Sequence, residues 1–292
     1  PLSAFIEGDC SKVEVERVGG RSRLTRCLSV APLKILTPNA GADYCTAVLS
    51  GYGGGLVAGD QVRLSVDCGR EAKLFLGTQA FTKVYKTVDG QGARQEIAGR
   101  IGPGGCVVSL PDPVVPYADS AFVQEQVWRL QEGATLILLD AVTAGRGARG
   151  ERFQYSSYTS NITIYRGNDL ALVERFNSQP SQHKPDDVGV FAGSAAFANV
   201  FVVGSCTSAS FGALREVLAA ELQPRVAKQF ATGVEDGRDS AVFVSLAAAR
   251  PGVLVARILG PSSEDLDFVT RALALAVSHP KVLADDPLRR KY

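Results

Sequence analysis

The chain has 292 residues, of which 46% are hydrophobic and 21% are charged. That balance is typical of a folded globular protein of one large domain or two ordinary ones, and it excludes a disordered or fibrous chain. Lysine and arginine number 31 against 30 aspartates and glutamates, so the net charge is only +1. Such neutrality disfavours duplex nucleic acid or an anionic membrane surface as a partner.

The N-terminus and the cysteines indicate a reducing compartment. The first residues lack the basic and then apolar order of a signal peptide, and no apolar run reaches the length of a membrane span. No two of the six cysteines lie within four positions of each other, so the paired spacing of a structural zinc site is absent and free thiols are expected. We therefore expect a cytoplasmic protein without membrane contact.

The first two-thirds of the sequence has the two-residue period of β-strands. Residues 12–18 (KVEVERV) and 62–67 (VRLSVD) alternate charged and apolar side chains, as half-buried strands do. No long helical pattern separates the strands, which disfavours a Rossmann or TIM-barrel architecture. Further short runs that predict strands are KLFLG, CVVSL, FVQEQVWRL, TLILLD and ITIYR.

Two helices are predicted in the C-terminal half. From Ser208 onward apolar residues recur at helical spacing, and this helix is expected to stop at Pro224. A second helix is expected to follow Pro261. The chain is predicted to be a single domain over residues 1–292, with the polar loop 177–189 (NSQPSQHKPDDVG) as its one possible internal seam.

Three segments between these elements have unusual composition. Segment 51–60 (GYGGGLVAGD) precedes a strand pattern, which excludes a phosphate-binding loop, and its glycines fit a tight turn that Asp60 caps. Segment 78–85 (TQAFTKVY) is predicted as one strand with Gln79, Lys83 and Tyr85 on a common face, either an exposed edge or a wall of a polar groove. Three prolines in LPDPVVPY predict a rigid loop.

Charged residues then interrupt apolar stretches. Asp140 ends an apolar strand, and Arg146 and Glu151 flank a glycine-rich turn where they can form an ion pair. Glu174 and Arg175 lie within the apolar segment LALVERF. Because buried charges are costly unless paired, either an arginine–carboxylate network or a channel of carboxylates through the β core is expected here. The acid–base pair of a glycosidase is formally a third interpretation.

The order of these segments is more specific than any one of them. GGGLVAGD, GTQAFTKVY, LPDPVVPY, AGRGARGERF and LVERF follow one another between Val13 and Phe176. In this order they resemble the family of the urease accessory protein UreD, called UreH in some bacteria. Beyond Phe176 the resemblance is weaker, since NSQPSQHKPDDVG stands where the family carries a Ser-Ile-Ala-Glu-Arg-like patch.

The resemblance implies a mainly β fold of stacked or layered sheets, β-helix-like or sandwich-like, with two α-helices in the C-terminal half. It implies a maturation factor, not an enzyme, that binds the urease apoprotein and a UreF-like accessory protein and, through that complex, a UreG-like GTPase. Nickel is then a transient cargo, and no tightly bound cofactor is expected. The alternatives are a purely structural adaptor and, less favoured, a carbohydrate-active β enzyme.

The resemblance also implies a polar internal tunnel for nickel. A divalent cation in transit should meet oxygen ligands that replace its hydration shell without retaining it. Four carboxylates are expected to touch the metal transiently: Asp60, Asp140, Glu151 and Glu174. Four further side chains are expected as polar lining or structural support: Gln79, Lys83, Tyr85 and Arg146.

Overall fold

A computed structural model describes residues 8–38, 43–187, 190–231 and 242–289, with only the backbone described over 225–231. The described residues are mainly β, arranged in two stacked sheets, with two α-helices in the C-terminal half. The predicted fold class is therefore confirmed. Neither α-helix in these ranges combines the length and the apolar content that a bilayer span requires.

The first sheet has seven strands: β1 (Ser11–Val18), β2 (Arg21–Leu28), β5 (Gln61–Cys68), β8 (Ala93–Ile101), β11 (Ala121–Leu130), β13 (Ser157–Arg166) and β14 (Asp169–Ser178). Their order across the sheet is β14–β13–β11–β8–β5–β1–β2. The strands from β13 to β1 run parallel to their neighbours, and β14 and β2 close the two edges in antiparallel pairing.

The second sheet has ten strands: β3 (Leu33–Leu36), β4 (Cys45–Gly51), β6 (Lys73–Thr78), β7 (Thr82–Val84), β9 (Cys106–Leu110), β10 (Val114–Pro116), β12 (Thr135–Thr143), β15 (Ala196–Gly204), β16 (Phe243–Arg250) and β17 (Val253–Gly260). Its main order is β16–β17–β15–β12–β9–β6–β4–β3, and β10 pairs with both β12 and β7 beside that path.

The chain passes back and forth between the two sheets from β4 to β13. Parallel neighbours need a long crossover connection, which is usually a helix. Here a strand of the other sheet provides that connection, so the coils stack as in a β-solenoid. This arrangement explains how parallel strands form in a region whose sequence has no helical pattern.

Apolar side chains form two cores. The first lies between the sheets and includes Trp128, Phe122 and Leu64, each at most 1% exposed. The second lies between the outer face of the ten-stranded sheet and two helices, α1 (Ala209–Ala231) and α2 (Asp267–Val277). The described part of the molecule therefore has three layers: sheet, sheet and helices.

The prediction that helix α1 stops at Pro224 is wrong, because the helix continues to Ala231. Proline lacks the backbone donor and disfavours a helix interior. Leu214, Leu218 and Leu222 are each at most 1% exposed in the second core, and this packing on the preceding turns outweighs the local preference of the proline.

Two predictions about the segments between strands are also wrong. Segment 78–85 is not one strand, because β6 ends at Thr78 and the separate strand β7 begins at Thr82 and pairs with β10. The chain bends at residues 79–81 as it leaves the line of β6. The proline-rich segment LPDPVVPY is not wholly a loop, since it contains β10.

The predicted loop 177–189 begins with two residues of β14, which extends to Ser178, and continues in turns over the described residues. Just beyond it, Phe191 is 5% exposed and joins the first core. Its ring lies 5.1 Å from Phe153 and 6.1 Å from Phe176, measured between centroids. The internal seam stays a prediction.

Candidate functional site

A cavity of about 240 Å³ lies between the two sheets, near the loops that follow β4, β6 and β9. Gln79 and Lys83 line it and are themselves exposed, so the cavity reaches the surface at these loops. Thr78, Ala80 and Thr82 line it as well, so the predicted polar residues of this segment do not form a face of their own. The buried polar side chains of the cavity are Ser109, Asp112, Gln124, Gln126 and Asp140.

Asp140 is 7% exposed, so its predicted burial is confirmed. It does not end its strand, however, because β12 continues to Thr143. Gln124 Nε2 donates a hydrogen bond of 2.9 Å to Oδ1, and Ser160 Oγ donates one of 2.9 Å to Oδ2. Burial raises the pKa of Asp140, while the two donors act in the opposite direction and the charge of Glu174 adds to the rise.

Asp112 is a second buried carboxylate of the cavity, and it is absent from the predicted set of site residues. It is 8% exposed, and Thr78 Oγ1 donates to its Oδ2 at 2.7 Å while accepting from its backbone N–H at 2.7 Å. The only signal in the sequence was an acid between two prolines directly after the buried strand β9. The three prolines by themselves predict a rigid loop and no site.

Polar side chains continue from the cavity to the β14 edge of the molecule. Gln95 donates to Gln124 at 3.3 Å, and Gln124 donates to Asp140 and Ser160. Asp140 and Asn199 are direct cross-strand neighbours on β12 and β15, as are Asn199 and Arg257 on β15 and β17. We call this set the polar layer: Gln95, Gln124, Asp140, Ser160, Asn199, Arg257 and Glu174.

The outer end of the polar layer is an ion pair. Arg257 donates to both oxygens of Glu174, at 2.8 and 2.6 Å, and to Asn199 Oδ1 at 3.2 Å. Glu174 therefore pairs with Arg257, whereas its sequence neighbour Arg175 donates to the carbonyl oxygens of Ile162 and Glu174 and to Thr163 Oγ1.

Arg146 and Glu151 form the predicted ion pair across the glycine-rich turn after β12. Arg146 Nε donates to Glu151 at 2.7 Å, and the guanidinium carbon lies 3.9 Å from the centroid of the Tyr117 ring. The hydrogen bond from Arg146 lowers the pKa of Glu151, and the backbone N–H of Ala118 adds to this effect. Neither side chain lines the cavity.

Asp60 and Tyr85 also lie outside the cavity lining. Asp60 Oδ2 accepts from the backbone N–H of Val57 at 2.8 Å, which is the predicted capping of the glycine-rich turn. Tyr85 packs edge-on against Tyr117 at 5.1 Å and lies against Gly55, where any added Cβ would be 2.6 Å from its ring. The cavity thus brings together Gln79, Lys83 and Asp140 of the predicted set. The other five residues lie elsewhere.

Within the described ranges, no group of three or more histidine, cysteine, aspartate or glutamate side chains is arranged to hold a metal ion. All six cysteines have free thiols. Burial raises the pKa of the Cys106 thiol to about 12, so it stays protonated near neutral pH and serves as a packing residue. Any cation that enters the cavity therefore meets carboxylate, amide and hydroxyl oxygens.

These features define a class of layered β protein, with solenoid-like coils and a polar layer that crosses its interior. The family model described as UreD urease accessory protein matches residues 8–291. The chain belongs to this family, and membership supports a role in urease maturation. The match extends well beyond Phe176, where the resemblance of the sequence motifs becomes weak.

Individual relatives agree with the family match. The chain is 33% identical to the urease accessory protein UreD of Anaeromyxobacter sp. (strain Fw109-5) over 286 residues, which cover 98% of this chain and 90% of the relative. It is 30% identical to that of Cytophaga hutchinsonii over 280 residues, or 95% and 96% of the two chains. The urease accessory protein D of Arabidopsis thaliana is 38% identical over 165 residues, 55% of this chain and 56% of the relative.

Proposed function

We propose that this protein is a non-catalytic urease maturation factor that helps deliver nickel to the urease active site. It binds the urease apoprotein and a UreF-like accessory protein, and through that complex a UreG-like GTPase. The observation that carries the proposal is a surface-connected cavity with two buried carboxylates, Asp112 and Asp140, in a member of the UreD family. The free thiols support a cytoplasmic location.

The chemistry of the cavity suits a cation in transit. Nickel must exchange water for protein ligands that later release it. Ni²⁺ ranks high in affinity for most sites, and imidazole or thiolate ligands in number would trap it. Carboxylates and amides along the polar layer provide oxygen atoms instead. Asp140 is the central residue, because it belongs to both the cavity and the polar layer.

A structural adaptor without a conduit is the second candidate. Both carboxylate oxygens of Asp140 accept hydrogen bonds from neighbouring side chains, and Glu174 is paired with Arg257. Hydrogen bonds and ion pairs of this kind can hold neighbouring strands in place without any role in metal transfer. A carbohydrate-active enzyme is disfavoured, since Asp140 lies in the cavity and Glu151 in the separate ion pair of the glycine-rich turn.

The two leading candidates differ in what a charge-neutral, same-size substitution does. We expect Asp140→Asn and Glu174→Gln to retain complex formation with apo-urease and the accessory proteins in a pull-down. In activation with purified components at limiting nickel and bicarbonate, we expect both to lower the nickel content of urease severalfold. The matched control is Glu132→Gln, which neutralises an exposed carboxylate away from the cavity and should behave as wild type.

The outcomes separate the candidates. Loss of the complex in Asp140→Asn would favour the structural adaptor. Full nickel content with an intact complex would contradict delivery through the polar layer. Activation that is independent of this protein would contradict the maturation role altogether.

A further inference from the structure

Three oxygen atoms converge on one guanidinium at the outer end of the polar layer. Both carboxylate oxygens of Glu174 and the amide oxygen of Asn199 accept from Arg257 at 2.8, 2.6 and 3.2 Å. They come from two sheets, since Glu174 is on β14 and Asn199 on β15. The same three atoms would surround any other cation that took the place of the guanidinium.

The burial of the three side chains differs. Asn199 is 0% exposed, and its Nδ2 has no hydrogen-bond partner among the residues that the structure describes. The side chain of Glu174 is 12% exposed, whereas that of Arg257 is 46% exposed. The oxygen ligands therefore belong to the interior, and the guanidinium covers them from the solvent side. Arg257 can swing outward without any break in the pairing of β15 with β17.

The site is also close to the rest of the polar layer. Asp140 faces Asn199 directly across the β12–β15 pair, a relationship that places the Cβ atoms about 4.5–5.5 Å apart. The negative charge of Glu174 contributes to the raised pKa of Asp140, so the two carboxylates interact through the protein. A cation bound at Glu174 and Asn199 would therefore lie next to Asp140, which lines the cavity.

We propose that Glu174 and Asn199 form a divalent-cation site that Arg257 masks. Carboxylate and amide oxygens bind such cations, and the guanidinium satisfies the same oxygens while it is in place. In the masked state the site binds Ni²⁺ weakly, because the metal must displace an ion pair. Movement of Arg257 then exposes the ligands. The role of this site in nickel transfer rests on the proposed function, but the binding of Ni²⁺ to the site does not.

The test is Ni²⁺ binding to the purified full chain, measured by calorimetry with the metal alone. We expect Arg257→Leu, which removes the guanidinium and keeps an apolar stem, to bind Ni²⁺ at least about tenfold more tightly than wild type, or about 1.4 kcal/mol. Addition of Glu174→Gln to Arg257→Leu should remove this gain. Unchanged affinity in Arg257→Leu, or a gain that survives Glu174→Gln, overturns the proposal.

The matched control is Arg250→Leu. Arg250 lies on β16 of the same hairpin and also reaches β14, but it donates to the backbone carbonyls of Leu170 and Ala171 and not to a carboxylate. Its loss should leave Ni²⁺ affinity at the wild-type value, and an equal gain there would overturn the proposal. Circular dichroism checks that each variant is folded.

If Arg257→Leu fails to fold, the conservative variant Arg257→Lys tests whether Arg257 masks the cation site. The ammonium of Arg257→Lys keeps the charge but cannot reach all three oxygens at once, so we expect Ni²⁺ affinity to rise by about threefold. No gain in this folded variant overturns the masking role. If urease activation is independent of the wild-type protein while Arg257→Leu still binds tightly, the proposed function fails and the cation site stands.

Discussion

Asp140 is the ionisable residue of a fully buried strand, and its environment opposes its charge. Every residue of β12 is buried, so the carboxylate has little contact with water. The donors Gln124 and Ser160 offset only part of this loss, and the pKa stays above the ordinary value for aspartate. The charged form is therefore less favourable in the folded protein than in the unfolded chain.

This imbalance makes stability depend on pH. Because the pKa of Asp140 is raised by folding, the folded state binds the proton more tightly, and stability falls as the pH rises through the interval between the two pKa values. Asp140→Asn stays neutral and still offers an oxygen to Gln124, so we expect a higher urea midpoint than wild type at pH 7. The difference should close as the pH falls to about 3.9, the unfolded-state pKa.

This expectation is checked by measuring the urea midpoints of wild type and Asp140→Asn between about pH 4 and 8. Asp140→Ala is the control for the hydrogen bonds. It removes one of the two acceptors of the buried Gln124 amide and the acceptor of the Ser160 hydroxyl, and it should be less stable than Asp140→Asn by about 1–3 kcal/mol. A difference between Asp140→Asn and wild type that does not vary with pH would contradict the explanation from charge burial.

How much of the site the sequence predicts depends on the distance between partners along the chain. Arg146 and Glu151 are five residues apart, and their pairing follows from the turn between them. Glu174 and Arg257 are 83 residues apart and lie on different sheets, so only the stacking of the two sheets brings β14 and β17 together. The period of a single strand does not reveal how sheets stack, and Arg257 is therefore absent from the predicted set.

At the scale of elements, the indole of Trp128 on β11 lies over Gly99 of β8 and leaves room for no residue other than glycine there. Gly99 and Trp128 are register partners, and an added Cβ on Gly99 would lie 2.0 Å from the indole. Trp128 is 0% exposed, and its Nε1 donates to Gln126 at 3.1 Å, which holds the ring in place. The large side chain of one strand thus occupies the space left by its neighbour.

Gly99→Ala is therefore expected to lower the free energy of unfolding by about 1–3 kcal/mol, as overpacking does. In the background of Trp128→Leu the same change should be nearly neutral, because the smaller side chain leaves room for the methyl group. Gly212→Ala is the matched control in α1, where nothing lies within 4 Å and alanine should stabilise the helix by up to about 1 kcal/mol. Equal effects of Gly99→Ala in both backgrounds would contradict this contact.

The predicted elements are correct where local pattern and tertiary packing agree. Alternation in residues 12–18 and 62–67 corresponds to β1 and β5, which bury one face each. Segment 78–85 alternates equally well but is interrupted, because the pairing of β7 with β10 requires a bend after Thr78. The interruption of this segment thus depends on pairing with a strand that is distant in the sequence, and a single sequence does not reveal such pairing.

At the scale of the whole molecule, the two sheets differ in how they are covered. The ten-stranded sheet has the first core on one face and the helices on the other. The seven-stranded sheet carries ion pairs on its outer face, among them Arg63 with Glu96 and Arg100 with Asp67. Charged ladders of this kind keep the uncovered face of a parallel sheet solvated. We expect local stability to follow this difference in coverage.

Hydrogen exchange of the backbone amides measures that difference. All nine residues of β12 are buried, so its amides should exchange only when the whole protein unfolds. β2 is an edge strand with most residues exposed, and its amides should open locally and exchange at least about a hundredfold faster, or about 2.7 kcal/mol. Urea below the unfolding transition should accelerate exchange in β12 but not in β2. Equal rates with the same urea dependence would mean that both sheets open as one cooperative unit.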